Sequence, residues 1–293
     1  MARILGVGIA TLDIINVVDG FPAEDSEVRA LNQTMARGGN VTNTLVVLSQ
    51  FDHVCRWGGV LAEDAASHVI RQDLDRFHVA YTDCHIARTG KTPTSYITLN
   101  RLNGSRTIVH YRDLPEFRFE DFARLELAGL DWLHFEGRAV ADTARMLAHA
   151  RRVAPQLPRS VEIEKPRDGI EALFADADVL LFSRVYARAR GFTQAFPFLS
   201  AMRAHAPSAE LVCTWGEDGA YGLTPEGRQH HVPAYPQACI VDSIGAGDSF
   251  NAGYIHARLH SSDLPQSLAM GCRVAGLKCS QMGFAGLAQR YSV

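Results

Sequence analysis

The amino-acid sequence predicts an α/β fold with a mainly parallel central sheet flanked by helices and a small β-sheet lid. Three observations lead to this prediction. Short β-rich runs alternate with helical patterns along most of the chain, several of these runs are apolar almost without interruption, and two segments break the alternation. Strands that are covered on both faces have such apolar runs, as in doubly wound parallel sheets.

Six short runs are predicted as strands of the central sheet, and six longer windows are predicted as helices from their apolar spacing. The predicted strands are Ile4–Ala10, Val54–Gly59, Leu130–Phe135, Val161–Ile163, Val179–Phe182 and Leu211–Thr214. The predicted helices are Val41–Gln50, Ala65–Arg76, Asp142–Arg152, Thr193–Ala204, Ser249–His260 and Gln266–Gln281.

Two segments do not fit this alternation. Glu27–Met35 has partial period-2 character, and Pro93–Arg112 contains two strand-like runs joined by an Asn-Gly pair, which is a strong hairpin signal. With Thr11–Val18, these pieces predict a second sheet. A sheet face without helices must cover something else, so we interpret it as a lid. The predicted organisation is a single domain over residues 1–293 with a lid from about residues 11–18, 27–36 and 93–112.

Composition excludes several classes of protein. The 293 residues are 47% hydrophobic and 21% charged, which is enough for one large α/β domain with a buried core. The net charge of -3 leaves no excess of basic residues for nucleic acid or a membrane surface. No apolar run reaches the length of a transmembrane helix. The six cysteines form no CxxC pair, so we expect reduced thiols in a cytoplasmic protein.

The most specific local feature is the stretch Asp242-Ser-Ile-Gly-Ala-Gly-Asp248 before a predicted helix. Gly245, Ala246 and Gly247 let the backbone approach an anion, which the free N–H groups and the dipole of the helix then favour. A carboxylate at Asp248 would repel that anion, so its presence here suggests a chemical role. Accepting a proton from an attacking hydroxyl is such a role. The alternative is a glycine-rich turn in which Asp248 only caps the helix.

A second polar cluster combines Asp13 with Gly39, Asn40 and Asn43. Two glycines end an extended segment here, and the two asparagines share one face at the start of a helix. Amides both donate and accept hydrogen bonds, so they suit sugar hydroxyls. Asp13 is expected at the carboxyl edge of the sheet, where ligands of α/β proteins bind. The alternative is an asparagine helix cap after a Gly-Gly turn.

Other nucleotide- and metal-binding motifs are absent from the sequence. No GxxxxGK[ST] run occurs, which excludes a P-loop enzyme. Gly6-Val-Gly8 imitates a dinucleotide fingerprint but lacks its third glycine, so a nicotinamide-dependent enzyme is a weak alternative. No HExxH spacing occurs, and His230 and His231 are interpreted as a solvated pair.

The two motifs around Gly38-Gly39-Asn40 and Asp242–Asp248 resemble the signatures of the ribokinase-like PfkB carbohydrate kinases, and the resemblance spans essentially the whole chain. It narrows to members that phosphorylate ketohexoses, with D-fructose converted to D-fructose 1-phosphate. The alternatives are another sugar or nucleoside kinase of this fold, such as a ribokinase or a 6-position fructokinase, and a sugar-binding sensor without catalysis. The stretches that carry the narrower resemblance are Phe21–Arg29, Gly104–Ile108, His134–Arg138, Ser160–Arg167 and Lys278–Phe284.

The resemblance also implies a role for each matching residue. Asp248 would be the general base, and the anion hole for the transferring phosphoryl group would be Gly245, Ala246 and Gly247. Arg106 would reach the ATP phosphates from the lid. The turn bordering the nucleotide would be Gly216, Glu217, Asp218 and Gly219. The sugar contacts would be Asp13, Gly39, Asn40 and Asn43. Glu136 and Arg138 would lie beside the sugar, with a surface salt bridge as the alternative.

Further partners follow from the same resemblance. ATP and Mg²⁺ are implied, but the Asn-x-x-Glu motif of many relatives is replaced by Ser183-Arg-Val-Tyr186, so no magnesium ligand is named. Relatives bind a potassium ion near the equivalents of Asp242 and Ser243. A homodimer with interlocking lids is expected, in which Asp25 reaches the partner's site.

Overall fold

An eight-stranded sheet forms the centre of the computed structural model, which describes residues 1–291. Its strands, in spatial order, are Gln229–Val232 (β14), Ala220–Leu223 (β13), Glu210–Thr214 (β12), Val179–Ser183 (β11), Arg159–Ile163 (β10), Trp132–Glu136 (β9), Arg3–Val7 (β1) and Val54–Gly58 (β4). Neighbouring strands are parallel except β13, which is antiparallel to both β12 and β14. The predicted mainly parallel sheet is therefore confirmed.

Helices cover both faces of this sheet. They are Asn40–Gln50 (α1), Ala65–Arg76 (α2), Phe119–Phe122 (α3), Val140–Val153 (α4), Arg184–Ala189 (α5), Ala195–Met202 (α6), Ala246–Leu259 (α7), Leu264–Cys279 (α8) and Leu287–Tyr291 (α9). Leu180 of β11 packs with residues of α4–α6, whereas its neighbour Leu181 packs with residues of α1, α7 and α8. Because successive strand residues point to opposite faces, two buried layers require the continuous apolar runs seen in the sequence.

A four-stranded sheet stands apart from the central one, and we call it the lid sheet. Its strands, in spatial order, are Asn32–Gly38 (β3), Thr11–Val18 (β2), Thr94–Asn100 (β7) and Arg106–Tyr111 (β8). β7 and β8 form the hairpin that the Asn-Gly pair predicts. β3 begins five residues later than the segment from residue 27 suggested, since its pairing with β2 ends at the pair of Asn32 and Val17. Val60–Ala62 (β5) and His85–Ala87 (β6) form a separate parallel pair.

Some predicted boundaries are wrong, and the reasons are physical. The first strand ends at Val7 instead of Ala10, because the chain turns there into β2. α8 begins at Leu264 instead of Gln266, because Asp263 caps it in a capping box with Gln266. β13 and β14 were missed since they are short, and the edge strand β14 is largely polar. Among residues 1–291, every helix is too short or too polar to span a bilayer.

Candidate active site

A cavity of about 510 Å³ opens at the carboxyl edge of the central sheet, where the lid sheet covers it. The lid sheet lines it with side chains such as Ser95 and His110, and the central strands line it with Glu162 and Thr214. The first turns of α1 and α7 also reach this space. The candidate site therefore lies where ligands of parallel α/β sheets usually bind.

Asp248 lies in the first turn of α7 with its carboxylate buried against α1. The residue is 7% exposed, and its Oδ2 accepts a hydrogen bond of 2.7 Å from Nδ2 of Asn43. α7 starts after Gly245, and no side chain caps it. The interpretation of Asp248 as a helix cap is therefore wrong, because its carboxylate bonds to a side chain of another helix.

The surroundings of Asp248 disfavour its charged form. Burial is the largest cause and raises the pKa of this carboxyl to about 7. The carboxylates of Glu164 and Glu136 raise it as well, whereas the hydrogen bond from Asn43 and the positive charge of Arg37 lower it. A general base works best with a pKa near the operating pH, so this environment suits proton transfer near neutrality.

The backbone of the turn before Asp248 lines the cavity, and the N–H of Ala246 donates to the carbonyl oxygen of Ser243 over 3.3 Å. Gly245 has a φ of +78°, and a Cβ atom there would lie 2.3 Å from the ring of Phe284. Ala246 and Gly247 follow it along the cavity wall, and a Cβ atom at Gly247 would meet nothing within 4 Å. The first N–H groups of a helix have no intrahelical partner, so this uncapped turn can bind an anion.

Arg106 connects the lid sheet to this turn. It is the first residue of β8, lines the cavity, and donates from Nη1 to Oγ of Ser243 over 3.4 Å. Its side chain is otherwise exposed. The contact places a guanidinium beside the start of α7, so a phosphate bound there would meet both the backbone N–H groups and a positive side chain.

The predicted sugar-binding residues also meet in the cavity, which Asp13, Gly39, Asn40 and Asn43 all line. Gly39 has a φ of +108°, and a Cβ atom there would lie 2.2 Å from the carbonyl oxygen of Ile9, so the position requires glycine. Asn40 donates from Nδ2 to Oε2 of Glu164 over 3.2 Å and does not cap α1. The helix-cap interpretation of this segment is therefore wrong.

Glu136 and Arg138 form a salt bridge at the cavity wall. Nη1 of Arg138 lies 2.9 Å from Oε1 of Glu136, and Arg138 also binds Glu116. The other oxygen of Glu136 accepts a hydrogen bond of 3.0 Å from the backbone N–H of Ile9. Both side chains are mostly buried and line the cavity, so the salt bridge belongs to the wall of the site and not to an open surface.

Two sets of predicted site residues lie away from the cavity. Asp25 is exposed, has a φ of +57°, and belongs to the loop between β2 and β3. Gly216, Glu217, Asp218 and Gly219 form the turn after β12, and the last residue of that strand, Thr214, does line the cavity. The turn therefore borders the site without contributing to its wall.

A side chain of α8 lies against the predicted cation position. Nζ of Lys278 lies 2.7 Å from Oδ2 and 3.0 Å from the carbonyl oxygen of Asp242, and the lysine side chain is 1% exposed. Ser243 next to it accepts from Arg106. Lys278 thus takes up two of the oxygen atoms that a monovalent cation would need.

Two residues of this region lie in stretches noted in the sequence but were assigned no role there. Glu162 of β10 is 8% exposed and lines the cavity, and its Oε2 has no hydrogen-bond partner among the described residues. Burial, followed by the charges of Asp248, Glu164 and Glu136, raises its pKa well above the usual value. A carboxylate inside an apolar strand was the available signal. The other residue, Arg37, lies near the end of the lid strand β3 and is buried against α1 and α2.

Comparisons with known sequences place this geometry among sugar kinases. The profile of the pfkB family of carbohydrate kinases matches residues 1–289. Ketohexokinase of Mus musculus is 38% identical over 293 residues, which are 97% of this chain and 98% of that protein. The ATP-dependent ribose-1-phosphate kinase of Halopiger xanaduensis is 26% identical over 286 residues, which are 94% of this chain and 93% of that one.

Solved structures share the fold at low sequence identity. Adenosine kinase of Sinorhizobium meliloti matches with a TM-score of 0.81 at 19% identity, over 99% of this chain and 98% of that one. Ribokinase of Arabidopsis thaliana complexed with ribose and ATP matches with a TM-score of 0.79 at 17% identity, over 96% and 94%. The predicted ribokinase-like fold is therefore confirmed.

Proposed function

The chain belongs to the pfkB family of carbohydrate kinases, and from this premise we propose that it transfers phosphate from ATP to the 1-hydroxyl of a ketohexose, first of all D-fructose. The observation that carries the proposal is the buried carboxylate of Asp248 beside the uncapped first turn of α7, in one cavity with the asparagines of α1. The 38% identity to mouse ketohexokinase over nearly the full length supports the choice of sugar.

Asp248 would accept the proton of the attacking hydroxyl. The sugar would lie against Asp13, Gly39, Asn40 and Asn43, which all line the cavity, and its hydroxyl would then lie next to the carboxylate. As the oxygen attacks the terminal phosphorus of ATP, its O–H bond breaks, the proton moves to Asp248, and ADP leaves with the electrons of the broken P–O bond. The oxygen needs no full charge before attack, because proton transfer and bond formation proceed together.

The predicted anion hole comprises Gly245, Ala246 and Gly247, but the N–H of Ala246 already donates to the carbonyl oxygen of Ser243. The N–H groups of Gly247 and Asp248, with the guanidinium of Arg106, would therefore bind the transferring phosphoryl group. Phosphoryl transfer spreads negative charge over the phosphoryl oxygens, so fixed donors and cations supply most of the catalysis. Closure of the lid sheet would bring Arg106 to this place and exclude water, which limits wasteful hydrolysis of ATP. The nucleotide would extend over the ends of β11 and β12 towards the turn at Gly216–Asp218.

Magnesium would arrive with the ATP phosphates. Among residues 1–291, no cluster of three or more His, Cys, Asp or Glu side chains is suited to hold a metal by itself. Ser183 caps α5 and also lines the cavity, whereas Tyr186 is buried among aromatic rings. Neither residue of the segment that replaces Asn-x-x-Glu offers a carboxylate to a metal ion. The unpartnered oxygen of Glu162 fits a hydrated cation, since Mg²⁺ keeps several water molecules that need acceptors. The ion would neutralise charge on the phosphates.

Potassium at Asp242 and Ser243 stays a prediction. We expect higher turnover in potassium chloride than in choline chloride at the same ionic strength if a monovalent cation completes the turn before α7. Equal turnover in both salts would contradict this prediction. Lys278 alone would then balance the negative charge of Asp242, whose carbonyl oxygen and Oδ2 it already binds.

A screen for ADP release tests the proposed function. Fructose, tagatose, ribose, adenosine and related polyols are offered with ATP and Mg²⁺, and we expect the highest kcat/KM with D-fructose. Phosphorus NMR of the product separates 1- from 6-phosphorylation, because the two esters have different chemical shifts. Preference for ribose or adenosine would support another kinase of this family. Tight sugar binding without ADP release would support a sensor and contradict the kinase.

We further propose a homodimer that forms through the outer face of the lid sheet. Met35, Ile14, Tyr96 and Val109 occupy neighbouring positions on its four strands, and all but Ile14 are at least half exposed. A second copy of the same face would cover this apolar row and bring Asp25 to the neighbouring cavity. Light scattering should report twice 32.1 kDa for the wild type and a smaller mass for Val109→Asp. A monomeric wild type would contradict the dimer.

The proposed compartment is the cytoplasm. All six cysteines are unpaired, and Cys55, Cys213 and Cys272 are buried in the core. Burial raises the pKa of each of these three thiols, so they are poor thiolates and resist oxidation. Thiol labelling under native conditions should reach the exposed Cys239 first, and the reduced protein should be fully active.

A further inference from the structure

Arg37 is a buried cation that the proposed reaction does not yet use. Its side chain is 1% exposed, although it belongs to the lid strand β3. Nε donates to Oδ2 of Asp73 on α2 over 2.7 Å. Nη1 donates to Oγ1 of Thr42 over 3.0 Å and to Oδ1 of Asn43 over 2.7 Å, and both acceptors belong to α1. The guanidinium therefore joins the lid sheet to two helices.

The contact with Asn43 decides which way its amide points. A guanidinium only donates hydrogen bonds, so the group of Asn43 that faces it must be the carbonyl oxygen. The amide nitrogen then points the other way, to Oδ2 of Asp248 at 2.7 Å. If the amide turned over, its N–H₂ would face the guanidinium and its oxygen would face the carboxylate, and both contacts would be repulsive.

The positive charge of Arg37 also acts on the carboxyl group of Asp248. Nε of the guanidinium binds Asp73. The carboxylates of Asp73, Asp248 and Asp13 all favour the charged form of Arg37. The carboxyl of Asp248 is faced by carboxyl groups of β9 and β10 and by this cation. The charged groups that shift its pKa are Glu164 and Glu136, which raise it, and Arg37, which lowers it. The third carboxyl group, Glu162, has its own pKa raised by the charge of Asp248. Arg37 therefore opposes Glu164 and Glu136.

We propose that Arg37 is a positioning residue for the proton acceptor: through Asn43 it holds the carboxylate of Asp248 in place, and through its charge it favours the ionised form. The proposal rests on the proposed kinase activity. It explains why the residue before Gly38-Gly39 in this chain is a long cation that turns inward. A lysine would keep the charge but lack the fork that binds Asp73 and Asn43 at once.

Arg37→Met tests both parts of the proposal. With the guanidinium removed, Asn43 is free to turn, and the carboxylates of Glu164 and Glu136 act on Asp248 without an opposing cation. We expect kcat to fall about tenfold or more and the acidic limb of the pH profile of kcat/KM to move to higher pH by about one unit, a size typical of a nearby opposite charge. The KM for ATP should change less than kcat, because Arg37 does not line the nucleotide end of the cavity.

Two further variants separate positioning from charge. Arg37→Lys should keep the acidic limb near its wild-type position while kcat remains low, because the charge stays but the fork is lost. Asp73→Asn removes the other partner of the guanidinium on the partly exposed side of α2, and it should move the limb to lower pH or leave it in place. The expected pattern is thus an acidic limb that rises in Arg37→Met and that falls or stays in place in Asp73→Asn.

A measurement without turnover keeps this inference distinct from the proposed activity. Carbon-13 NMR of carboxyl-labelled aspartate follows the ionisation of Asp248 in the free protein, with Asp248→Asn identifying its signal. Arg37→Met should raise that pKa. An unchanged midpoint in a folded Arg37→Met protein, or a kcat within twofold of wild type, would overturn the proposal.

The remaining variants keep the proposal testable if Arg37→Met does not fold. A low kcat in Arg37→Lys, together with an acidic limb that stays in place there and does not rise in Asp73→Asn, would then support it. A kcat of Arg37→Lys within twofold of wild type would overturn it. If the wild type releases no ADP with any sugar of the screen, the proposed function is overturned instead.

Discussion

The buried titratable groups at the two ends of α7 differ in how completely protein partners satisfy their hydrogen bonds. At its first turn, Asp248 has one side-chain partner and faces a cavity, and the nearby Glu162 leaves one oxygen without a partner among residues 1–291. At its last turn, His256 is bound by Nε2 of His53, whose Nδ1 accepts from the backbone N–H of Ala2. Burial lowers the pKa of both histidines to about 4, so they stay neutral at physiological pH.

The difference teaches where chemistry can occur in this fold. At the amino end of β10, Arg159 is hydrogen-bonded to Asp178 and to carbonyl oxygens of the neighbouring turns. Groups at the carboxyl ends keep unfilled hydrogen-bonding capacity that a ligand can complete. The following predictions test this contrast, from the largest expected effect to the smallest.

Asp248→Asn should have the largest effect on activity. The amide keeps the shape of the side chain but cannot accept the proton, so we expect turnover to fall about 10²–10⁴-fold with nearly unchanged ATP affinity. A coupled ADP assay and a nucleotide titration measure the two quantities. The matched control is Glu210→Gln, which neutralises an equally buried carboxylate at the amino edge, where it binds Tyr254. Its turnover per folded enzyme should stay near wild type.

The same Asp248→Asn variant should be more stable than the wild type at pH 8. The folded pKa of Asp248 is raised, so the carboxyl favours folding when protonated, and that stability is lost as the pH rises through about 7. The amide carries no charge at any pH, and the difference in melting temperature should therefore vanish near pH 4. A variant that melts lower than the wild type at pH 8 would contradict the raised pKa.

Arg106→Ala should raise the KM for ATP or lower kcat by about tenfold, as expected for one charge-assisted contact to phosphate, without changing the melting temperature. The control is Arg101→Ala on the same hairpin, since Arg101 forms an exposed ion pair with Asp19 and does not line the cavity. Exposed pairs of this kind contribute little. Equal kinetics of the two variants would show that Arg106 is only a surface residue of the lid sheet.

Glu162→Gln should raise the Mg²⁺ concentration needed for half-maximal activity by a few-fold, about 1 kcal/mol or less for an interaction through water. The amide removes the charge that the side chain would develop when the cation enters. Titration of activity with Mg²⁺ at saturating ATP measures this shift, and Lys165→Met serves as a control at the cavity rim. An unchanged requirement in Glu162→Gln would remove Glu162 from the support of the ion.

His53→Gln should have the smallest effect, limited to stability in acid. The folded pKa values of His53 and His256 are depressed, so their contribution to stability is present above pH 6.5 and is lost as the pH falls towards 4. The facing groups are His260 and the amino terminus, which lower these pKa values further. Urea unfolding should show a pH slope smaller by about 1 kcal/mol per unit in this window. Activity at pH 7 should not change.

Much of the candidate site could be predicted from local sequence. The stretch Gly245–Asp248 predicts a helix start that binds anions, because small residues and free N–H groups are properties of the local backbone. Asn40 and Asn43 predict a shared face because helical spacing is local as well. The orientation of Asn43 could not be predicted, since it depends on Arg37 and Asp248, which lie on other elements.

The sequence by itself determined the α/β fold with helices on both faces of the sheet, the lid hairpin and the main polar residues of the cavity. Apolar periodicity, glycine positions and turn residues act over a few residues, so a local sequence is enough to predict them. Only the tertiary structure decided that Glu162 keeps an open oxygen, that Lys278 binds Asp242, and that Arg37 turns inward to Asn43. These outcomes depend on which charged groups meet in the low-dielectric interior of the folded protein. The residues that meet there are far apart in the sequence, so no local sequence pattern predicts their contacts.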